Sequence, residues 1–195
     1  MPSHWRHGLI EDPDRVRHIA LGRLLGVPVS ATPLVWLGPI LYLGLGLLLT
    51  LRSPTMAPAA RLADGANFML AVLIARFAHA LGHILGGRRV ASPMDELLLT
   101  ATRDVNLYRG DQSGYSARVH LGRALGGPLL NLTLALLAYS SLPWIGLVSP
   151  AGRDLAARIV GLNLIFGLGA FLPLPSVDGE VIWRELPRLM RGRQR

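Results

Sequence analysis

Between residues 34 and 51 the chain runs for eighteen positions without a charged side chain. Three further stretches, 66–86, 124–148 and 155–174, are almost as apolar, the first holding only Arg76 and the last only Arg158. Each approaches the ~20 residues that a helix needs to cross the hydrocarbon core of a bilayer. Composition agrees, because 51% of the 195 residues are hydrophobic and only 16% are charged, too greasy a balance for an ordinary soluble domain. The expectation is a mainly α integral membrane protein, a single membrane domain over 1–195 with about four transmembrane helices at 34–51, 66–86, 124–148 and 155–174. No cysteine is present, which excludes disulfides and thiolate metal ligands. No cleavable signal peptide is expected at the N-terminus.

The polar segments lie between these runs. Residues 1–33 set Arg6, Arg15, Arg17 and Arg23 against Glu11, Asp12 and Asp14, and end in a turn-rich stretch around Pro28 and Pro33. They read as a short extended hairpin at the membrane surface. Residues 52–65 carry Pro54 and Pro58 and read as a loop. In 87–123, the runs Glu96 to Thr102 and Val105 to Tyr108 have strand character, giving a β-hairpin or small sheet against the membrane. Residues 179–195 form a basic tail.

All 20 basic residues are arginine, and with 12 acidic residues they give a net charge of +8. Four fall in 1–33, six in 87–123 and five in the tail, whereas the two alternate loops hold only Arg52, Arg61 and Arg153. By the positive-inside rule both termini and the strand-rich loop are cytoplasmic. The basic charge then faces anionic lipid headgroups at the cytoplasmic face. No interleaving of aromatic and basic residues suggests nucleic acid, and no nucleic-acid partner is expected.

His79 and His83 stand four residues apart in the second apolar span, so on a helix both imidazoles leave one face a turn apart. That is metal-ligand spacing. In the zinc-protease signature His-Glu-x-x-His the residue after the first histidine is the general base, and here it is Ala80. Two histidines in a packed bundle also have a structural reading, as satisfied hydrogen-bonding groups. A zinc site needs a third ligand. Asp178 is the candidate, since Pro173 and Pro175 break the last span just before it; the same residue reads equally as a turn or cap before Gly179. Asn131 and Asn163 are intramembrane amides, suited to interhelical hydrogen bonds or to holding a peptide or a group next to the metal.

Four segments in order carry a resemblance. Ile19-Ala20-Leu21-Gly22-Arg23-Leu24-Leu25-Gly26-Val27-Pro28-Val29, His79-Ala80-Leu81-Gly82-His83, Ala124-Leu125-Gly126-Gly127-Pro128-Leu129-Leu130-Asn131, and Asn163 followed by Phe171-Leu172-Pro173-Leu174-Pro175-Ser176-Val177-Asp178-Gly179 together resemble the site-2 protease family of intramembrane zinc metalloproteases. The resemblance implies a site-2-protease-like core and zinc held by His79, His83 and Asp178. It also implies a cleft for a transmembrane protein or peptide near Asn131, Asn163, Pro173 and Pro175. Ala80 departs from that family's glutamate and Ala170 from its usual asparagine. A third feature is Arg76, one turn before His79, whose guanidinium at that place would repel a dication. An ion pair from Arg76 to Asp178 could replace the metal; pairing with Asp64 or a backbone carbonyl would leave the site free.

Two functions remain in view. One is a site-2-protease-like zinc metalloprotease homologue that lacks its general base and so its proteolytic activity. The other is a non-enzymatic structural or partner-binding subunit of a membrane protein complex. The combined departures favour a natural homologue over a single laboratory exchange at position 80.

Overall fold

A computed structural model describes residues 13–192. Arg6, Glu11 and Asp12 of the N-terminal segment and Arg193 and Arg195 of the tail lie outside the described residues. Strands β1 (Ile19–Leu24) and β2 (Val27–Ala31) form a hairpin. Its two-residue turn has φ 49° at Leu25 and 81° at Gly26. Positive φ at both central residues matches the right-handed twist of the flanking strands. Helix α1 (Leu37–Leu49) follows and ends in a 3₁₀ turn over Thr50–Arg52.

Helix α2 (Pro58–Arg89) has 32 residues and starts eight positions before the apolar run that announced it. Proline at the first helical position lacks only an N–H that would be unpaired there anyway. Arg61 then closes the preceding turn by donating to the carbonyls of Ser53, Pro54 and Met56. Strands β3 (Glu96–Leu99) and β4 (Asp104–Leu107) make the second hairpin.

The two hairpins are one sheet in the order β1-β2-β3-β4, joined by parallel pairing of Val29 with Leu97 through Ala31 with Leu99. Sequence patterning indicated each hairpin but not their union, because a parallel pair forms only after the intervening helices return the chain. The sheet's inner face meets α2. Ala80 and Ile84 of α2 pack with Val27, Met94 and Leu97 in one buried cluster, flanked by Leu24, Val29, Leu99 and Tyr108.

Helix α3 (Ala117–Val148) begins seven residues before the expected span. Its polar first turns, with Arg118, His120 and Arg123, are helical without belonging to the apolar run. Helix α4 is Pro150–Gly169, and it stops before rather than at Pro173. The basic tail is a helix, α5 (Asp178–Gly192), packed on the start of α3 through Ile182, Leu121 and Ala124.

Among the described residues two helices, α2 and α3, are long and apolar enough to cross a membrane; the four-span expectation is not met on that measure. Helix α1 has only 13 residues. In α4, Arg153, Asp154 and Arg158 interrupt the apolar character. Arg158 is paired with Asp64 of α2.

Helices α2 and α3 touch backbone to backbone. A Cβ on Gly82 would collide with the carbonyl oxygen of Gly126, and one on Gly126 would collide with that of Gly82. Small residues permit such an approach, which is how membrane helices gain packing contacts without a hydrophobic driving force.

Two predictions follow from this packing. Gly126→Ala forces the helices apart and should destabilise the fold by about 1–3 kcal/mol, read as earlier unfolding in detergent; unchanged unfolding would show that the crossing tolerates a methyl group. The second concerns Glu96. Burial opposes its ionisation, but hydrogen bonds from Ser30 and His18 and the charges of His18 and Arg109 hold its carboxyl below its ordinary range. A carboxyl with a lowered folded pKa stabilises above its unfolded value, ~4.3, and the gain is lost as pH falls through the folded value. The stability difference between wild type and Glu96→Gln should therefore be largest near neutral pH and shrink below about pH 4; a difference that grows on acidification would contradict it.

Candidate metal centre

His79, Ala80 and His83 lie in the second half of α2, with Ala80 and His83 buried and His79 half-buried. The two imidazoles meet edge to face, with ring centroids 4.6 Å apart. Asp178, first residue of α5, reaches them from across the bundle. Its Oδ2 is 3.0 Å from His79 Nε2 and its Oδ1 is 3.4 Å from His83 Nε2. All three ligand atoms lie within 4.8 Å of one another.

The tautomers follow from the partners. Asn131 Nδ2 donates to the Ala75 carbonyl at 2.9 Å and to Asn163 Oδ1 at 2.7 Å. Because a backbone carbonyl can only accept, the Asn131 oxygen must be the atom 2.7 Å from His79 Nδ1. His79 Nδ1 therefore donates. His83 Nδ1 likewise donates to the carbonyl of Arg123 at 2.8 Å. In the neutral rings both Nε2 atoms then present lone pairs, and both face the Asp178 carboxylate.

Three electron-pair donors turned toward one another repel unless a metal ion lies between them or a proton on Nε2 is donated to the carboxylate. Two imidazoles and a carboxylate form the donor set that suits zinc, with the second nitrogen of each imidazole tied to an oxygen acceptor. Gly127 adds room. A Cβ there would stand 2.5 Å from His83 Nε2 and 2.8 Å from His79 Nε2, so only a bare Cα fits beside the ligand atoms.

Chain direction before Asp178 is set locally. Beyond α4 the prolines at 173 and 175 prevent a regular helix. Ser176 takes φ 65°, and its N–H is accepted by Glu180 Oε2 at 3.0 Å. Gly179 packs so closely on Phe171 and Leu172 that a Cβ would overlap their backbone. Trp183 Nε1 donates to the Phe171 carbonyl at 2.8 Å, clamping α5 to the end of α4.

Arg76 does not reach Asp178. Its Nη2 lies 2.5 Å from Asp104 Oδ1, its Nη1 donates to Tyr42 at 2.7 Å, and it also donates to the carbonyls of Thr100 and Ala101. The loop joining β3 to β4 supplies the two carbonyls, the start of β4 supplies Asp104 and α1 supplies Tyr42; Asp64, the other acid considered, is taken by Arg158. Arg76 thus ties the sheet to α2 and leaves His79, His83 and Asp178 to one another.

Asn131 and Asn163 are fully enclosed, so the two amides placed in a cleft by resemblance act here on His79, Ala75 and each other. Pro173 and Pro175 are exposed. Ala80 is 2% exposed and faces the apolar cluster beneath the sheet.

Arg123 escaped the sequence reading, which used it only to count charge. It is buried between Tyr108 and Tyr115, 4.0 and 4.7 Å from their ring centroids, and donates to both oxygens of Ser92 and to Gln112. Burial pushes the Tyr108 phenol up to about 12, so it stays protonated beside that guanidinium. Arg123 thereby fastens the loops around β3 and β4 to the residue whose carbonyl orients His83. Its place just before Ala124 in the third matched segment was the one available signal.

No protein-family model and no curated protein matches the sequence. Among solved structures, the chain is similar to the Site-2 Protease from Methanocaldococcus jannaschii, with a TM-score of 0.61 and 18% identity over 87% of this chain and 71% of that one. The likeness establishes a site-2-protease-like fold. Within that fold, His79, His83 and Asp178 form a group able to hold a metal ion.

If Asn131 fixes the His79 ring, Asn131→Ala should weaken zinc binding about 10- to 100-fold, measured by competition with a chelating dye. Equal affinity in the two proteins would remove Asn131 from the site.

Proposed function

We propose that this chain is an integral membrane, zinc-binding homologue of the site-2 proteases that retains the metal scaffold and has lost peptide hydrolysis. The observation carrying this reading is the convergence of His79 Nε2, His83 Nε2 and the Asp178 carboxylate, with both rings already turned by Asn131 and the Arg123 carbonyl. Zinc bound there would supply Lewis acidity to a carbonyl and lower the pKa of a coordinated water. The chain's own residues orient the ligands and leave space at Gly127, and position 80 offers nothing to accept a proton. Loss of a general base typically costs ~10²–10⁴-fold in rate. The nearby Asp104 is no substitute, because Arg76 engages it.

In this reading α2 and α3 cross the membrane with both termini cytoplasmic, where the arginines meet anionic lipid. Pro173 and Pro175 border the approach to the ligands, and a transmembrane peptide or protein segment is the expected occupant. The environment of Ala80 favours a second reading beside the first, a partner-binding subunit of a membrane complex. Position 80 is filled by packing from Val27, Ile84, Met94 and Leu97, with no space held for a carboxylate.

Elemental analysis of the purified protein should find one zinc per chain, lost in His79→Ala, His83→Ala or Asp178→Ala, and the protein should leave membrane-embedded peptides uncut. Ala80→Glu should cost about 1–3 kcal/mol of stability by overpacking and should not produce cleavage. Absence of zinc would defeat the metal reading; cleavage by the chain as written would defeat the loss of hydrolysis.

A further inference from the structure

Helix α5 carries two stripes that lie largely at its surface. Ile182 is buried against α3, and Leu189 packs beside it. Trp183, Leu186 and Met190, spaced i, i+3 and i+7 along one side, remain 54%, 37% and 63% exposed. Arg184, Arg188 and Arg191 follow at i, i+4 and i+7 on another side. Of the acidic residues on this helix, Asp178 is turned into the metal centre and Glu185 is 2% exposed, bonded to Arg184 and Arg188. Glu185 and Glu180 thus set two negative charges against three arginines, and Arg191 carries no ion pair among the described residues.

The location of the stripes identifies what they meet. Helix α5 rests on Leu121 and Ala124, at the end of α3 that also carries Arg118 and Arg123, before the charge-free run 124–148. A helix at that level lies at the headgroup region, where tryptophan and arginine anchor and an apolar stripe enters the acyl boundary. Its first residue is Asp178. Between Asp178 and the exposed stripe there is one helical turn, clamped by the Trp183 bond to Phe171, so displacement of α5 moves the carboxylate relative to the histidines.

We propose that α5 is a docking surface for an anionic bilayer, and that its docking holds Asp178 in the metal centre, making metal affinity depend on lipid charge. The inference rests on the zinc-site reading above. An arginine near an anionic surface contributes about 1 kcal/mol, about fivefold in an equilibrium.

The test uses the full chain in nanodiscs of zwitterionic lipid alone or with phosphatidylserine, and cobalt(II) as a spectroscopic probe of the site. Because the native sequence has no cysteine, Met190→Cys accepts a single environment-sensitive label. Cobalt should bind about fivefold or more tightly in the anionic discs. The label should report lipid contact there, and Arg191→Glu should shift both readouts toward the zwitterionic values. Arg191 is the apt position because its side-chain bond on the helix is to the Pro187 carbonyl at 3.4 Å, so its loss strands no buried partner. Equal cobalt affinity in both discs overturns the proposal while leaving the zinc site intact. No cobalt in either disc defeats the zinc site, and the proposed coupling with it. A label that stays accessible to aqueous quencher in both discs overturns the docking and assigns the stripe to a protein partner instead.

Discussion

Contact between the backbones of α2 and α3 at Gly82 and Gly126 sets the distance on which the other features of the centre depend. At that separation Gly127 sits directly against both imidazoles, and Asn131, one turn further along α3, falls within hydrogen-bonding range of His79 and of the Ala75 carbonyl. The Arg123 carbonyl, one turn before Gly127, reaches His83. Helix α2 thus supplies the two imidazoles, and α3 the acceptors that hold their tautomers. Side chains larger than hydrogen at the crossing would move the acceptors by more than a hydrogen bond can span.

Two buried arginines then fasten the sheet to this pair. Arg76 binds the loop between β3 and β4 through Asp104, Thr100 and Ala101, and Arg123 binds Ser92 ahead of β3 and the two tyrosines after β4. A guanidinium can serve both purposes because its planar donors satisfy several acceptors at once and its face stacks on aromatic rings. Removing water from such a group is costly unless every donor is used. For Arg76 the Thr100 and Ala101 carbonyls, the Tyr42 hydroxyl and the Asp104 carboxylate meet that requirement, and Asp178 remains with the histidines. The sheet so fixed also covers position 80, which is why Ala80 is enclosed by packing.

Legibility differed by the range of the interaction. His79 and His83 were readable because helical periodicity puts i and i+4 on one face, and Asp178 because prolines and a glycine mark a chain break. Both hairpins were readable from strand character and turn residues. The helix bounds were less so, since α2 and α3 extend into polar sequence that hydropathy assigns to loops. Asp104 gave no sign of its role, being an ordinary acidic residue beside a turn, and Arg123 was indistinguishable from a surface arginine. The tail's amphipathic helix was hidden by attention to its charge.

The sequence by itself determined the mainly helical, apolar character of the chain, the pair of histidines, the carboxylate available to join them, and an alanine between the histidines at position 80. These are local facts of residue type and spacing. Only the tertiary structure decided which acid Arg76 takes, that Asn131 and a main-chain carbonyl set the ring tautomers, and that Ala80 lies beneath a sheet made of two distant hairpins. Those outcomes depend on donors and acceptors separated by tens of residues, and a hydrogen bond is specified by the place and direction of its atoms, which composition and periodicity do not encode.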